Sequence, residues 1–477
     1  MQITTREFLK QLGLGGAALS AGAAFGDEWT PSKNSLPPGS CGDPMNPWFG
    51  KDIFPLGHTI EDGPSCYLKN GKVIEPSHEL PIFHKTDVVV VGGGPAGFAA
   101  ALGAARTGAK VALVERYGSL GGLFTNGMVL IMLSTSRHEE SGKWTLVTRG
   151  VCEEFMHRAV ALGSDVAKAQ PRKKDGGHWQ PTVDPEAGKY LMDKMCAEAG
   201  VETFFHSWGV DVIQDGDRVC GVVFESKQGR QAILANQVVD CTGDADMLFR
   251  AGGDYKQITH GIGHVVRLAN MDRVTAKKPP VGPDGKRLPG RWPTRSNEAN
   301  PATCWTNSGT GTRGNGLDVR DLTKAEITFR REWWEHVRLM RQTPGWEEVF
   351  IANTCSQIGP RATRLAATEL VIDRAMIAKG LDFADTIGWF GVDGPHAAFK
   401  VSYRSILPKK VENLLVAGRC LGTGDTIDTF RLISPCFVTG HAAGVAAGLS
   451  AKKGVTPRKL SYIDLSAELV RQGAFLG

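Results

Sequence analysis

Val88-Val89-Val90-Val91-Gly92-Gly93-Gly94-Pro95-Ala96-Gly97-Phe98-Ala99-Ala100-Ala101, followed beyond Gly108 by Val111-Ala112-Leu113-Val114-Glu115, decides the fold of this chain. Four consecutive valines read as a strand buried on both faces of a parallel sheet. Gly92, Gly94 and Gly97 stand in G-x-G-x-x-G spacing, with Pro95 and Ala96 in the turn, and they open a helix that runs through residues 99–107 on small side chains. Gly108 ends that helix, and Val111–Val114 reads as the second strand. The three glycines serve different ends. The first makes the tight turn, the second lets backbone approach a pyrophosphate, and the third lets the helix pack closely on the sheet. The helix N-terminus presents unpaired N–H groups and a positive dipole end to phosphates. Glu115, roughly 20 residues on, is placed to accept hydrogen bonds from ribose hydroxyls. In this strand–turn–helix context the spacing predicts a dinucleotide site.

The stretch after Glu115 separates two kinds of dinucleotide. Arg116-Tyr117-Gly118-Ser119-Leu120-Gly121-Gly122 is a second glycine-rich loop. A nicotinamide-binding domain usually returns to its sheet through another helix at this point. A flavin-binding domain needs a flexible loop to wrap the longer pyrophosphate and ribityl chain. The alternative is an ordinary loop whose glycines supply positive φ.

Further along, residues 150–162 and 185–199 have apolar residues at helical spacing. Residues 201–205, 210–213, 219–224 and 232–234 read as strands, with Asp215-Gly216-Asp217 as a turn. Residues 237–244 form another strand ending in a glycine. Residues 255–350 differ: prolines crowd their first half, and an amphipathic helix spans about 323–341. A second formal G-x-G-x-x-G, at Gly309, Gly311 and Gly314, has no predicted strand before it and reads as a loop. Leu414-Leu415-Val416-Ala417-Gly418 repeats the strand–glycine pattern, and residues 435–449 form a small-residue helix that requires close packing. The predicted class is α/β: a Rossmann-like FAD-binding domain with a three-layer parallel sheet, plus an inserted α+β substrate or cap domain. Its parts are a signal-like segment (1–26), an extended arm (27–84), the first part of the FAD-binding domain (85–254), the cap (255–350) and the completion of the FAD-binding domain (351–477).

Composition narrows the function. A hydrophobic fraction of 42% and a charged fraction of 22% are those of a soluble globular protein. A net charge of +5 over 477 residues, with no Lys/Arg stripe interleaved with aromatics, predicts no nucleic-acid partner. The run Arg172-Lys173-Lys174 reads as a solvated loop. No segment is apolar and long enough to span a bilayer. None of the 10 cysteines forms a C-x-x-C pair, which argues against zinc, iron–sulfur and disulfide-reductase sites. Thr4-Thr5-Arg6-Glu7-Phe8-Leu9-Lys10, ahead of a weakly apolar stretch, resembles a twin-arginine signal with Thr5 in the place of the first arginine. It predicts export to the periplasm; the alternative is an uncleaved N-terminal helix on a cytoplasmic protein. If exported, Cys41 and Cys66 are candidates for a disulfide.

Residues 88–126, 238–252 and 403–448, together with Ile358-Gly359-Pro360-Arg361-Ala362-Thr363-Arg364, resemble the FAD-dependent oxidoreductase family of the glutathione-reductase-like flavoprotein superfamily. The resemblance implies FAD as cofactor. It implies that Gly92, Gly94, Gly97 and Glu115 hold the ADP half, and that Arg116, Gly121 and Gly122 line the pyrophosphate and ribityl path. Val212 would meet the adenine through its backbone, Thr242 and Gly243 would close that side, and Gly418 and Asp425 would approach the ribityl and phosphate. The helix beginning near Pro435, with Cys436 in its first turn, would point its positive end at the isoalloxazine, stabilising an anionic reduced flavin. Two departures stand out: Leu365 and Ala366 follow Arg364, and His441 replaces a common glutamine. Both are expected near the active site.

The implied chemistry is hydride transfer between the flavin and a small organic substrate, with a separate electron acceptor or donor that the sequence does not name. A flavoprotein hydroxylase, which would need an external reductant path, and a non-catalytic or electron-carrying FAD protein are the alternatives, and a homo-oligomer is compatible with each. Candidate catalytic residues are Arg361 and Arg431, to hold an anionic or polar substrate, Tyr403 as acid or base, and Arg404 beside it in the same block. Arg404 and Arg431 have a second reading as braces for carboxylates. His260 is a candidate base; with His264, four residues on, it offers two imidazoles but no third metal ligand. His396 is a further candidate. Trp292, Trp305, Trp333, Trp334 and Trp346 either pack the cap or stack on a ring substrate.

Overall fold

The computed structural model describes residues 66–141, 144–171, 179–288, 298–308, 313–392 and 398–477. The signal-like segment, the arm up to residue 65, Cys41, the basic run 172–174, Trp292, Gly309, Gly311 and His396 lie outside the described residues.

β1 (Ile82–Val91), α1 (Pro95–Ala105) and β2 (Val111–Val114) form the expected βαβ unit. β1 starts at Ile82 rather than Val88 because its polar first half is held by a ladder to residues 232–235. After it come α2 (Val151–Ala161) and α3 (Pro185–Glu198). Asp184 caps α3, accepting the N–H groups of Glu186 and Ala187 at 2.9 and 3.2 Å. β3 (Glu202–Phe204) precedes a meander of β4 (Trp208–Asp215), β5 (Arg218–Ser226) and β6 (Gly229–Asp240). β7 (His260–Ala269), β8 (Thr303–Ser308), α4 (Val319–Met340) and β9 (Phe350–Thr354) build the middle of the chain. β10 (Leu414–Val416), α5 (Ile433–Lys453) and α6 (Tyr462–Arg471) complete it.

Among the described residues, the main sheet has seven strands in the order β4-β5-β6-β1-β2-β3, with β10 beside the end of β6. β6, β1, β2, β3 and β10 are parallel where they meet, while β4, β5 and β6 are antiparallel. The strands expected at 232–234 and 237–244 are one strand. Its first half pairs with β5 and its last three residues with β10, while β1 runs along its other edge from Ala232 to Asp240.

The pleat divides the core in two, since alternate residues of a strand face opposite sides. Val88, Val90, Val111 and Leu113 join the helices. Val89, Val91, Ala112 and Val114 join Val219, Val222 and Phe224 of the meander. The result is three layers: helices, parallel strands and meander. On the helical side α5 lies in backbone contact with α1. A Cβ on Gly440 would stand 2.1 Å from the Ala96 carbonyl oxygen, and one on Gly444 would stand 1.9 Å from that of Ala100. This is the close packing that the small residues of α5 predict.

The middle region builds a second, antiparallel sheet centred on β7, flanked by β8 and β9. α4 covers it with Ala325, Phe329, Trp333, Val337 and Met340, spaced three and four apart. α4 begins before the expected residue 323 because Asp318 caps it at 2.8 Å to the Arg320 N–H. Trp333 and Trp346 are buried in this core, which favours packing over stacking for them; Trp305 is half-buried beside another cluster and Trp334 is exposed. β8 does precede the second glycine motif, contrary to expectation. Gly314 nevertheless sits in a two-residue strand paired with His260 and Gly261, and opens no helix. Among the described residues no helix is long and apolar enough to cross a membrane.

Candidate functional site

A cleft opens at the carboxyl ends of β1, β2 and β6, where α/β sheets bind their ligands. Gly92 turns into it at φ +97°, and its N–H donates to the Val114 carbonyl at 2.8 Å. A side chain there would meet the Cys241 carbonyl oxygen at 2.5 Å. Gly97 is off the cleft wall; a Cβ on it would stand 1.7 Å from the Gly92 carbonyl oxygen, so it seats α1 as expected. Gly94 and Gly122 lie side by side, a Cβ on Gly122 standing 3.0 Å from the Gly94 Cα. Both line the wall, as do Pro95 and Ala96. The N-cap of α1 is Gly94, which has no side-chain acceptor to offer the first turn. α5 opens at the same cleft through Ile433 and Cys436, also without a side-chain cap. Two uncapped helix N-termini and two bare glycine backbones make a cradle that fits a diphosphate.

On one side of the cradle Glu115 is buried. Its Oε2 accepts the Gly93 N–H at 2.6 Å and its Oε1 accepts the Tyr117 N–H at 2.8 Å. Burial raises its pKa, and these N–H groups oppose the rise. The Arg116 guanidinium lies 4.8 Å from the centre of the Tyr117 ring and 5.7 Å from that of Trp208. Ser207, Trp208 and Gly209 line the wall here. Val212, expected at the adenine, is instead paired with Val222 and packed into the meander core. β4 starts at Trp208, so its cleft end is residues 208–209 and Val212 lies farther down the strand. Gly121 is also off the wall; it bends the loop at φ +105° and donates its N–H to the Gly93 carbonyl at 2.8 Å.

On the other side, Thr242 and Gly243 line the cleft as expected. The Thr242 hydroxyl donates to Asp240 at 2.7 Å and accepts the Asp246 N–H at 3.0 Å. Burial pushes the Asp240 carboxyl up to about 6. Asp244 binds Arg419 through both oxygens, at 2.7 and 2.8 Å. Burial raises the Asp244 pKa, but Arg419 outweighs it and holds the carboxyl below its ordinary value. Gly243, at φ +81°, leaves room for that guanidinium. Gly418 and Arg419 then reach the wall from beyond β10. Asp425 does not: its side chain is exposed and accepts the Arg374 N–H at 2.8 Å. Cys436 is on the wall, with its thiol pushed up to about 12 by burial.

Three of the candidate catalytic residues converge on Asp428, which the sequence does not single out. Arg431, on the cleft wall, donates to Asp428 at 3.0 Å, and His260 Nε2 lies 3.4 Å from the same oxygen. The His260 Nδ1 accepts the Gly261 N–H at 2.7 Å, which leaves a proton on Nε2 facing the carboxylate. Burial raises the Asp428 pKa, but Arg431, His260 and Arg361 together bring it below the ordinary value. Arg361 is half-buried, and among the described residues its guanidinium has no hydrogen-bonded carboxylate; burial and the like charge of Arg431 lower its pKa.

The other candidates fall elsewhere. The Tyr403 hydroxyl donates to the Pro457 carbonyl at 2.8 Å inside the helical core, and burial pushes its pKa far up, so it is neither acid nor base. Arg404 braces Asp385 at 3.0 Å. Arg364 binds Asp246 at 2.8 Å and lies over the Phe249 ring. Leu365 and Ala366 are buried in a strand, and His441, two turns inside α5, hydrogen-bonds Gln472 at 2.9 Å, so these departures are outside the cleft. His264 lies on the same strand as His260 but under α4, with Nε2 3.7 Å from Glu326. Among the described residues no three His, Cys, Asp or Glu could hold a metal. Sequence reasoning misses Arg419, Asp244 and Trp208. The first two carry a signal: a charge inside an otherwise apolar strand–glycine block needs a partner.

A parallel sheet fronted by a glycine cradle, an acidic strand end and two helix N-termini defines a dinucleotide-binding α/β flavoprotein. The model of the FAD dependent oxidoreductase family matches residues 87–469, and the chain belongs to that family, with FAD as its cofactor. Among curated proteins, dihydrolipoyl dehydrogenase of Trypanosoma brucei brucei is 59% identical over 47 residues, covering 10% of each chain. Dihydrolipoyl dehydrogenase of Manduca sexta is 44% identical over 71 residues, covering 15% of this chain and 14% of its own. The chain thus spans only a small part of these relatives' length. Among solved structures, a geranylgeranyl bacteriochlorophyll reductase-like protein of Thermoplasma acidophilum is 14% identical, covering 82% of this chain and 84% of its own, with a TM-score of 0.40. The p-nitrophenol 4-monooxygenase of Pseudomonas putida is 13% identical, covering 81% and 84%, with a TM-score of 0.40.

Proposed function

We propose that this FAD dependent oxidoreductase is a dehydrogenase or reductase that moves a hydride between flavin N5 and a small polar or anionic substrate, with a separate electron acceptor or donor. The observation that carries this reading is Arg361, a half-buried cation with no hydrogen-bonded carboxylate among the described residues, whose charge acts on Arg431, itself on the cleft wall. When bound, FAD supplies the two-electron chemistry; the chain supplies binding, orientation and charge. Gly94, Gly122 and the first turn of α1 hold the diphosphate, and Glu115 is placed beside the ribose. The N-terminus of α5 favours negative charge at the flavin end. Arg361 and Arg431 hold a carboxylate or polarised oxygen of the substrate. His260, whose Nε2–H faces Asp428, orients that carboxylate beside Arg431. Export is part of this proposal and rests on residues 4–24; cell fractionation that finds the protein only in the cytoplasm overturns it.

The test is anaerobic. Purified protein is mixed with candidate hydroxy acids, alcohols, sugars and reductants while flavin absorbance is followed. Bleaching by one class and recovery with an added acceptor support the reading. A flavin that no substrate or reductant bleaches supports a non-catalytic role instead.

A further inference from the structure

The face of α4 turned away from β7 carries two adjacent stripes. Val319, Ile327 and Trp334 are 73%, 59% and 68% exposed. At about 100° per residue they fall on one side of the helix, with Thr323 among them. Arg320, Lys324 and Arg331 fall beside that stripe, and among the described residues none of their side chains makes an ion pair. The remaining two arginines of α4 differ: Arg330 is bound to Glu326 at 2.9 Å and Arg338 to Glu335 at 3.0 Å. Asp321 and Glu332 lie beyond these cations, between them and the buried face of the helix, and Asp321 accepts the Asn315 N–H at 2.9 Å. A shallow groove follows the first half of the face, lined by Val319, Thr323, Lys324 and Ile327.

We propose that this face of α4 docks on an anionic lipid bilayer, the helix lying parallel to the surface. Three large apolar side chains spaced along one line, separated by threonine, match shallow insertion better than they match a dry protein interface. Trp334 sits where an indole prefers to be, at the boundary between acyl chains and headgroups. Arg320, Lys324 and Arg331, with no acid of their own, complement lipid phosphates. The inference stands apart from the oxidoreductase reading, since no residue of the stripes lines the cleft.

The test is co-sedimentation of the full-length, FAD-loaded protein with phosphatidylcholine vesicles, with and without phosphatidylglycerol, at low and high salt. Binding is expected on the phosphatidylglycerol vesicles and falls as salt rises. Lys324→Ala with Arg331→Ala lowers the partition roughly 25-fold, about fivefold per cation. Trp334→Ser lowers it further, while flavin absorbance and urea midpoint stay at wild-type values. Equal binding by the variants overturns the proposal, because the membrane contact then lies elsewhere on the chain. Failure of the wild-type protein to bind also overturns it. So does a dimer in solution that Trp334→Ser dissociates, which assigns the face to a second copy.

Discussion

Arg361 and His441 illustrate two fates of a charged or titratable side chain. Arg361 stays near Asp428 and Arg431 without a hydrogen-bonded carboxylate among the described residues, and its expected use is substrate binding. Arg361→Ala should raise KM for an anionic substrate at least tenfold, roughly the loss of one charged hydrogen bond, and leave the flavin spectrum unchanged. An unchanged KM removes Arg361 from the site. His441 is buried, and burial pushes its pKa down to about 4 despite the Gln472 hydrogen bond. A base whose folded pKa is depressed contributes stability that is complete above its unfolded pKa, near 6.5, and is lost as pH falls toward 4. Between pH 7 and pH 5 the wild-type protein should therefore lose about 2 kcal/mol relative to His441→Gln. Urea unfolding of both proteins at the two pH values measures this; a difference that does not change with pH rules it out.

At the scale of elements, α1 and α5 matter as a pair. Both open at the cleft, and Gly440 and Gly444 let their backbones touch. Adding a methyl group at position 444 forces the helices apart and tilts both N-termini away from the diphosphate. Gly444→Ala should cost about 1–3 kcal/mol of stability and weaken FAD retention through gel filtration. Full retention at wild-type stability shows that the helices have slack. The glycine spacing of α5 is legible because a helix of Gly and Ala has little else to recommend it than close approach. The apolar repeat alone places the start of α4 four residues late, since the cap Asp318 precedes the first clear apolar repeat.

Across the whole molecule, Arg419 and Asp244 join segments 175 residues apart. The bond holds the turn after β6 against the turn after β10, so both walls of the cleft move together. Arg419→Ala leaves Asp244 buried without its cation and should cost roughly 3–5 kcal/mol. Asp244→Asn in the same chain should recover part of that loss. Urea midpoints of the single and double variants decide it: equal loss in both means that the pair does not share one network.

Local patterning determined the βαβ unit, the glycine cradle, the acid at the end of β2 and the small-residue helix. These depend on spacing within about 30 residues, where backbone geometry is dictated by the residues themselves. Tertiary structure alone decided which distant side chains meet. Tyr403 and Arg404 belong to a block that reads as flavin-proximal, yet the chain turns them toward Pro457 and Asp385. Val212 lies in the expected strand but too far along it to meet the cleft. Asp428 gathers His260, Arg361 and Arg431 only because β7 and the segment before α5 are folded together. Such contacts depend on strand register and on the packing of segments far apart in the chain, and no local spacing encodes them.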